Sequence, residues 1–428
     1  MEPKINWKLN TMPKGDGNEL EIMALEHVAK ARAFHESFPQ YSVTPLAKLD
    51  KMADFLGLDT LCIKDESYRF GLNAFKVLGG SFAMAKYIAG ELGRDVSEMT
   101  YDYLTSEQLK EEFGQATFCT ATDGNHGRGV AWAANKLGQK AIVHMPKGSS
   151  KYRFDNIAKE NAKVTIEEVN YDECVRIAAA EADATPHGVI VQDTAWEGYT
   201  EIPSWIMQGY GTMGSEALDQ LAGYGVERPD LVILQAGVGC MAGAIWAYIV
   251  NRYKDNPPKI VIAEAAIADC LYQGAVANDG KYRIVDGDLQ TIMAGLACGE
   301  PNPVSWQILR SCASAFVSCP DWVSALGMRM LAAPCPGDSP IVSGESGAVG
   351  MGLLAALMQE PDYASLKNQL ELDDNSRILL EWVPVEKVRE LVVYPEFLKS
   401  RHSLRQQLRR QALFRQERGF RLFSELYM

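Results

Sequence analysis

Short apolar runs alternate with helical patterns along most of this 428-residue chain, and the alternation constrains the fold more than any other feature. An apolar run of four to eight residues predicts a buried strand, and apolar residues at three- and four-residue spacing predict a helix. The predicted strands are 60–64, 116–121, 141–145, 189–192, 231–235, 260–265 and 377–380. The predicted helices include 79–92, 127–137, 171–181 and 241–250. Strands that alternate with helices indicate parallel sheets of βα units, and therefore an α/β fold.

Two glycine-containing loops follow predicted strands at positions far apart in the sequence, 122–127 and 237–239. Ligands of open α/β sheets collect at the carboxyl ends of the strands. The separation of the two loops therefore predicts two open, mostly parallel sheet domains with the active site in the cleft between them. The expected large domain comprises residues 1–80 and 196–428, and the expected small domain comprises residues 81–195.

The composition excludes several classes of protein. A net charge of −13 argues against nucleic acid as a partner, although an atypical basic tail at 399–428 holds eight Lys or Arg residues and only two acids. Nine cysteines without CxxC spacing and six histidines without ligand spacing indicate neither a disulfide framework nor a metal site. No apolar segment reaches membrane-spanning length, and the first 20 residues have no apolar signal core. We expect a cytoplasmic protein with reduced thiols and no membrane partner.

The loop TDGNHG at 122–127 follows one predicted strand and begins a predicted helix. Backbone N–H groups at such a junction point outward and can bind an anionic ligand. Asn125 either donates a hydrogen bond to a phenolate oxygen or caps the helix, and His126 is favoured as structural. Asp123 places a carboxylate inside this ligand loop, where it is either a functional acid or a helix cap.

Lys76 lies among Phe75, Val77 and Leu78, where an ammonium group is costly to bury. Burial would lower the pKa of Lys76 and make its amine a Schiff-base nucleophile or a base. The alternative is a lysine on a half-buried helix whose amine extends to solvent, and this segment alone favours that alternative.

A second glycine loop, Gly237-Val238-Gly239, directly follows the predicted strand 231–235 and precedes an apolar helix. Its position between strand and helix fits a phosphate-binding loop of backbone N–H groups. A tight turn that requires small residues is the alternative.

Six segments taken together resemble diaminopropionate ammonia-lyases, which belong to the fold type II pyridoxal-phosphate enzymes, a group that includes threonine and serine dehydratases and cysteine synthases. The segments are GLNAFKVLGG (71–80), TDGNHGRGVAW (122–132), QDTAWEGY (192–199), QAGVG (235–239), TIMAGLACGEP (291–301) and SGESGAVG (343–350). Their span, about residues 20–380, covers most of the chain. The resemblance implies the fold type II architecture, pyridoxal 5′-phosphate as the cofactor, and a homodimer.

The resemblance also assigns roles to individual residues. It implies that Lys76 bonds the cofactor, that Asn125 contacts its phenolic oxygen and that Gly295 lies against its ring. The implied phosphate-binding residues are Gly237, Val238, Gly239, Cys240 and Met241.

The reaction of the family converts 2,3-diaminopropionate of either configuration to pyruvate and two ammonia molecules. Two bases on opposite faces of the substrate would explain why both enantiomers react, and we expect Lys76 to serve one face and Asp123 the other. Asp193 and Thr122 are expected to bind the substrate, with Asp193 holding its β-ammonium group. For Asp193 the alternative is a helix cap before Trp196.

The chain departs from the family pattern after residue 380. The family has a Ser-Thr-Glu-Gly-like segment whose hydroxyl faces the pyridine nitrogen of the cofactor, whereas this chain reads EWVPVE at 381–386. A carboxylate such as Glu381 or Glu345 at that nitrogen would favour its protonation, and the sequence leaves the partner open. Two alternative functions therefore stand beside the lyase: a threonine or D-serine dehydratase, and a cofactor-binding pseudoenzyme.

Overall fold

The computed structural model describes residues 3–122 and 124–382, with the backbone alone described at 381 and 382. Asp123, the basic tail at 399–428 and the rest of the departure from the family pattern at 383–386 lie outside the described residues. The strands are β1 Asn6–Leu9, β2 Leu46–Lys48, β3 Thr60–Asp65, β4 Thr117–Ala121, β5 Lys140–Met145, β6 Lys163–Ile166, β7 Gly188–Ile190, β8 Leu231–Gln235, β9 Lys259–Ala265, β10 Ala315–Cys319 and β11 Arg377–Trp382.

The helices alternate with these strands along most of the chain. They are α1 Leu25–Glu36, α2 Asp50–Leu56, α3 Lys76–Glu91, α4 Tyr101–Leu104, α5 Glu107–Glu112, α6 Asn125–Lys136, α7 Lys151–Ala158, α8 Tyr171–Ala184, α9 Glu201–Gly223, α10 Cys240–Tyr253, α11 Cys270–Ala277, α12 Pro303–Cys312, α13 Asp321–Ala332, α14 Glu345–Gln359 and α15 Ala364–Gln369. Short 3₁₀ turns occur at Asn18–Met23, Glu66–Gly71, Val96–Glu98, Ala294–Leu296 and Pro361–Tyr363. Among the described residues, no helix is long and apolar enough to cross a membrane.

Eleven strands form two sheets among the described residues. The larger has the order β1-β10-β9-β8-β11-β3-β2, with parallel pairs in the centre and one antiparallel strand at each edge. The smaller has the order β6-β5-β4-β7 and is wholly parallel. Its four strands all come from residues 163–166, 140–145, 117–121 and 188–190, one continuous stretch of sequence. Two open, mostly parallel sheets alternate with helices, so the predicted α/β fold class is confirmed.

All seven predicted strands are present, and their ends agree with the structure to within two residues. Four strands were not predicted from the sequence: β1, β2, β6 and β10. The first two are short antiparallel edge strands, and β6 is a partly exposed edge strand, so none has a continuous apolar run. β10 is fully buried, but it is only five residues long, and a short apolar run does not distinguish strand from helix.

A cluster of fully buried charges connects β3 to α9. Lys64 Nζ lies 2.7 Å from Glu216 Oε2 and also donates to the Thr44 carbonyl oxygen at 2.8 Å. Arg69 bonds the same Glu216 oxygen at 2.7 Å and reaches Glu66 Oε2 at 2.8 Å. Burial raises the pKa of Glu216, but the two cations outweigh it and lower this pKa to about 2. The carboxylate therefore stays ionised and holds the chain that leads into α3 against α9.

Removing the shared carboxylate should destabilise the protein strongly. Glu216→Leu leaves Lys64 and Arg69 buried without their common acceptor, and breaking a buried pair in this way typically costs about 3–5 kcal/mol. Urea denaturation followed by tryptophan fluorescence measures the change in the free energy of unfolding. The control is Asp362→Asn, which breaks the exposed ion pair with Lys4. Equal, small losses in both variants would contradict a structural role for the cluster.

Candidate active site

Lys76 is the first residue of α3, and close helix packing fixes its position. A Cβ atom on Gly209 of α9 would lie 2.3 Å from the Leu78 carbonyl oxygen. A Cβ atom on Gly129 of α6 would lie 2.7 Å from the Val77 nitrogen. Only glycine permits both approaches, so the first turn of α3 is held between the other two helices. The backbone that carries Lys76 therefore has little freedom to move.

The Lys76 amine does not extend to solvent but forms a short ion pair with Asp193. Its Nζ donates a hydrogen bond to Asp193 Oδ2, across 117 positions of sequence. The Lys76 side chain is 24% exposed and that of Asp193 is 8% exposed. The interpretation of Lys76 as a lysine that reaches solvent from a half-buried helix is therefore wrong.

The neighbouring residue Gln192 holds Asp193 in place. Its side-chain oxygen accepts hydrogen bonds from Thr120 Oγ1 and the Ala121 nitrogen, both at 3.0 Å, at the end of β4. Its backbone nitrogen donates to the Tyr199 hydroxyl at 2.8 Å. No helix begins before Trp196, because residues 193–200 form an irregular segment and α9 starts at Glu201. The alternative of Asp193 as a helix cap is therefore wrong.

The charges at this pair reinforce one another. Burial raises the pKa of Asp193, but His126 and Lys76 outweigh it and lower the pKa to about 2. His126 Nδ1 lies 3.8 Å from Asp193 Oδ2, and its Nε2 lies 2.8 Å from the Val191 carbonyl oxygen. Burial lowers the pKa of Lys76, but the Asp193 charge outweighs it, so this pKa is raised. The sequence predicted the opposite direction, because it considered burial without the partner.

The pKa shifts of Asp193 and Lys76 determine how the pair contributes to the stability of the folded protein at each pH. A carboxyl group whose pKa falls on folding stabilises the folded state above its ordinary pKa, which is 3.8 for Asp193, and loses this effect as the pH falls through about 2. For Lys76, whose pKa is raised, the contribution is present below the ordinary value of 10.5 and is lost as the pH rises through the raised pKa. The pair is therefore ionised across the neutral range.

The loop after β4 joins the carboxyl end of that strand to the start of α6. Thr122 is buried, and its Oγ1 accepts a hydrogen bond from the Gly124 nitrogen at 2.9 Å. Gly124 is the N-cap residue of α6, and Asn125 is the first residue of that helix. Because glycine has no side chain, no N-cap side chain among the described residues bonds the N–H groups of the first turn, and such groups can bind an anionic ligand.

The second glycine loop has the same construction at the start of α10. Gly239 is the N-cap residue, in the left-handed conformation with φ of 90°, and the helix begins at Cys240. A Cβ atom on Gly237 would lie 3.3 Å from the Gly295 carbonyl oxygen, so these two loops are in close contact. The Gly295 nitrogen donates to Ser346 Oγ at 3.1 Å. A helix start without a capping side chain, next to a loop of small residues, suits a phosphate group beside a flat ring.

The structure places a tyrosine near Lys76 that was not predicted from the sequence. Lys76 Nζ lies 5.8 Å from the centroid of the Tyr210 ring. This ring packs edge-on against the Phe75 ring, with 4.9 Å between the two ring centroids. The Tyr210 hydroxyl is buried, without a hydrogen-bond partner among the residues the structure covers. Burial, and then the charge of Asp193, raise the pKa of Tyr210 well above its ordinary value. The sequence did not single out Tyr210, because it lies among the mainly apolar and small residues of α9.

The structure therefore brings Lys76, Asp193 and His126 together, and it places the uncapped starts of α6 and α10 at strand ends. Thr122 directly follows β4, and Gly237 lies two residues beyond β8. Within the described ranges, no group of three or more His, Cys, Asp or Glu side chains could hold a metal ion. A lysine amine beside a buried carboxylate, with two anion-binding helix starts, fits an aldehyde-bearing phosphate cofactor.

Comparison with known proteins agrees with this chemistry. The sequence profile of the family described as pyridoxal-phosphate dependent enzymes matches residues 38–366. The diaminopropionate ammonia-lyase of Salmonella typhimurium is 50% identical over 383 residues, which cover 89% of this chain and 95% of that protein.

Two crystal structures of the Escherichia coli diaminopropionate ammonia-lyase superpose on this chain. The complex with an aminoacrylate-PLP azomethine reaction intermediate gives a TM-score of 0.80 at 43% identity, covering 91% of this chain and 95% of that one. The complex with D-serine gives a TM-score of 0.82 at 42% identity, with the same coverage.

The Asp193 carboxylate should control the acidity of the Lys76 amine. In Asp193→Asn the charge that opposes burial is removed, so we expect the pKa of Lys76 to fall. The midpoint of Lys76 acetylation against pH, measured by mass spectrometry on cofactor-free protein, reports this pKa because only the neutral amine reacts. Asp362→Asn, remote in sequence and exposed, is the control and should leave the midpoint in place. An unchanged midpoint in Asp193→Asn would show that the pair does not set the lysine's charge.

Proposed function

The chain belongs to the diaminopropionate ammonia-lyase family of pyridoxal-phosphate dependent enzymes, and we propose that it converts D- and L-2,3-diaminopropionate to pyruvate and two ammonia molecules. The observation that carries the proposal is the Lys76–Asp193 pair beside two helix starts whose N-cap residue is glycine, which offers no capping side chain. As a member of this family, the protein uses pyridoxal 5′-phosphate.

The residues present fit this cofactor. Lys76 would bond its aldehyde carbon, and Gly237, Val238, Gly239, Cys240 and Met241 would bind its phosphate through the backbone at the start of α10. Asn125 and Gly295 would contact the ring, the former at its phenolic oxygen. When bound, the cofactor withdraws electrons from the substrate's α-carbon, so that a modest base can remove the α-proton.

Lys76 is the proposed base for one face of the substrate. Its amine carries a proton while it is paired with Asp193, since the carboxylate raises the pKa of the lysine. The amine can accept the α-proton only when it is neutral, so it must separate from Asp193 before it acts. The same amine can then hold the proton at Nζ and return it.

Asp193 is the proposed site for the β-ammonium group of the substrate. Its carboxylate is buried and stays ionised, and it already accepts a hydrogen bond from one primary ammonium group, that of Lys76. When Lys76 is engaged elsewhere, the substrate ammonium is a chemically equivalent partner. Thr122, which directly follows β4, is the second proposed substrate contact.

We also propose a homodimer in a reducing, cytoplasmic environment, and the division into domains at residues 80 and 195. All nine cysteines lie in the described residues, and none of them forms a disulfide, which favours a reducing compartment. The family resemblance supports the dimer. The single stretch of sequence that forms the small sheet supports the domain division.

The stoichiometry of the products tests the proposed reaction. The holoprotein should show the absorbance of a lysine-bound cofactor and release two ammonia molecules for each pyruvate from either isomer of diaminopropionate, measured with coupled assays. Lys76→Ala should lose both the absorbance and the activity. One ammonia per pyruvate, from a hydroxy amino acid, would indicate a dehydratase instead. Cofactor absorbance without any pyruvate would indicate a pseudoenzyme.

Asp123 is proposed as the base for the other face, on the evidence of the sequence, because this residue lies outside the described ranges. Asp123→Asn keeps the size of the side chain but removes the base, so turnover of D-diaminopropionate should be abolished while much of the L-isomer activity remains. Steady-state kinetics on each isomer measure this difference. Asp255→Asn, at an exposed position, is the matched control. Equal loss on both isomers would refute the assignment.

A further inference from the structure

Gln235, the last residue of β8, is a buried amide whose hydrogen bonds are missing. The residue is 2% exposed, and neither its Nε2 nor its Oε1 atom has a partner among residues 3–122 and 124–382. A buried amide left without partners loses its hydrogen bonds to water and gains nothing in return, so such groups are rare in native proteins. A group of this kind, directly before a ligand loop, indicates a partner that is not part of the described chain.

The direction of the side chain follows from the strand. Side chains alternate along a strand, so Gln235 lies on the same face of the sheet as Ile233. That face is covered by α14, because a Cβ atom on Gly350 would lie 3.6 Å from Ile233 Cγ2. Gln235 therefore projects towards α14, two residues nearer the carboxyl end of the strand.

The contacts of α14 show which part of that helix lies near Gln235. Ser346, in the first turn of α14, accepts a hydrogen bond from the Gly295 nitrogen. The Gly295 carbonyl oxygen would lie 3.3 Å from a Cβ atom on Gly237. The helix α14 thus runs from the Gly237 loop back towards Ile233. Gln235 lies between Ile233 and the contact of the Gly237 and Gly295 loops.

We propose that the Gln235 carboxamide is the hydrogen-bond partner of the pyridine nitrogen of the cofactor. The phosphate is assigned to the start of α10 and the phenolic oxygen to Asn125, so the ring nitrogen is the polar atom still without a partner. Gln235 Nε2 donates to this nitrogen in its unprotonated form, because a carboxamide carries no charge that would stabilise a pyridinium ion. The amide takes the place of the hydroxyl that the sequence lacks after residue 380.

This inference rests on cofactor binding but not on the proposed reaction, and it is tested in the resting holoprotein without substrate. The probe is pyridoxal 5′-phosphate labelled with ¹⁵N in the ring, and the two readouts are its ¹⁵N resonance and its dissociation constant. Gln235→Leu should shift the resonance and weaken cofactor binding about tenfold, since one hydrogen bond in a buried site is lost. Gln235→Glu should move the resonance upfield, because a carboxylate favours the protonated ring.

Gln139→Leu is the matched control, since Gln139 is also buried but is bonded to the Ala116 nitrogen and the Leu137 carbonyl oxygen. It should leave the resonance and the dissociation constant unchanged. If Gln235→Leu does not fold, Gln235→Glu still decides the question, because it keeps the shape of the side chain and its carboxylate can accept a hydrogen bond from a protonated ring nitrogen.

Two results would overturn the inference. One is a wild-type resonance that already reports a protonated ring and does not move in Gln235→Glu. The other is a resonance that moves in Glu381→Gln but not in either Gln235 variant, which would place the partner at the end of β11. Holoprotein that passes the resonance test but releases no pyruvate would refute the proposed reaction and leave the role of Gln235 supported.

Discussion

The Lys76 ammonium and the Asp193 carboxylate join two parts of the chain that lie 117 residues apart. The lysine is fixed by the packing of α3 against α6 and α9, and the carboxylate is fixed by the hydrogen bonds of Gln192 to the end of β4. Neither group would keep its charge in the cleft without the other, because burial opposes the ionised form of each. The pair therefore keeps a buried ammonium and a buried carboxylate ionised and close together.

A second set of buried charges helps to position the helix that carries Lys76. Lys64, Arg69 and Glu216 are as deeply buried as any apolar residue of the core. Such a cluster is a weak source of stability, since the desolvation of three ions offsets most of their attraction. Its value here is geometric: it ties β3 and the turn Glu66–Gly71 to α9, the helix that also packs on α3. The approach of the chain to Lys76 is thus fixed on both sides.

The sequence predicted the parts of the site that depend on local pattern, and it missed those that depend on distant partners. The strand β8 was predicted at its observed ends, because a run of four apolar residues and Gln235 is followed closely by a glycine loop. The predicted lowering of the Lys76 pKa was wrong, because the sequence cannot show that Asp193 reaches the amine. Tyr210 and Gln235 were not singled out, since an unpartnered polar atom is a property of the packed chain. The role of Asp123 stays a prediction.

A neutral amide at the ring nitrogen has a consequence for the chemistry of the cleft. A carboxylate there would stabilise the protonated ring and strengthen its withdrawal of electrons, whereas Gln235 would leave the ring a weaker electron sink. The protein must then lower the barrier by other means, chiefly by holding a base close to the α-proton and a carboxylate close to the departing β-ammonium. Lys76 and Asp193 are the groups that we propose for these two tasks. A weak sink also suits elimination, since it disfavours reactions that need a long-lived carbanion, and the loss of the β-amine removes the charge as soon as it forms.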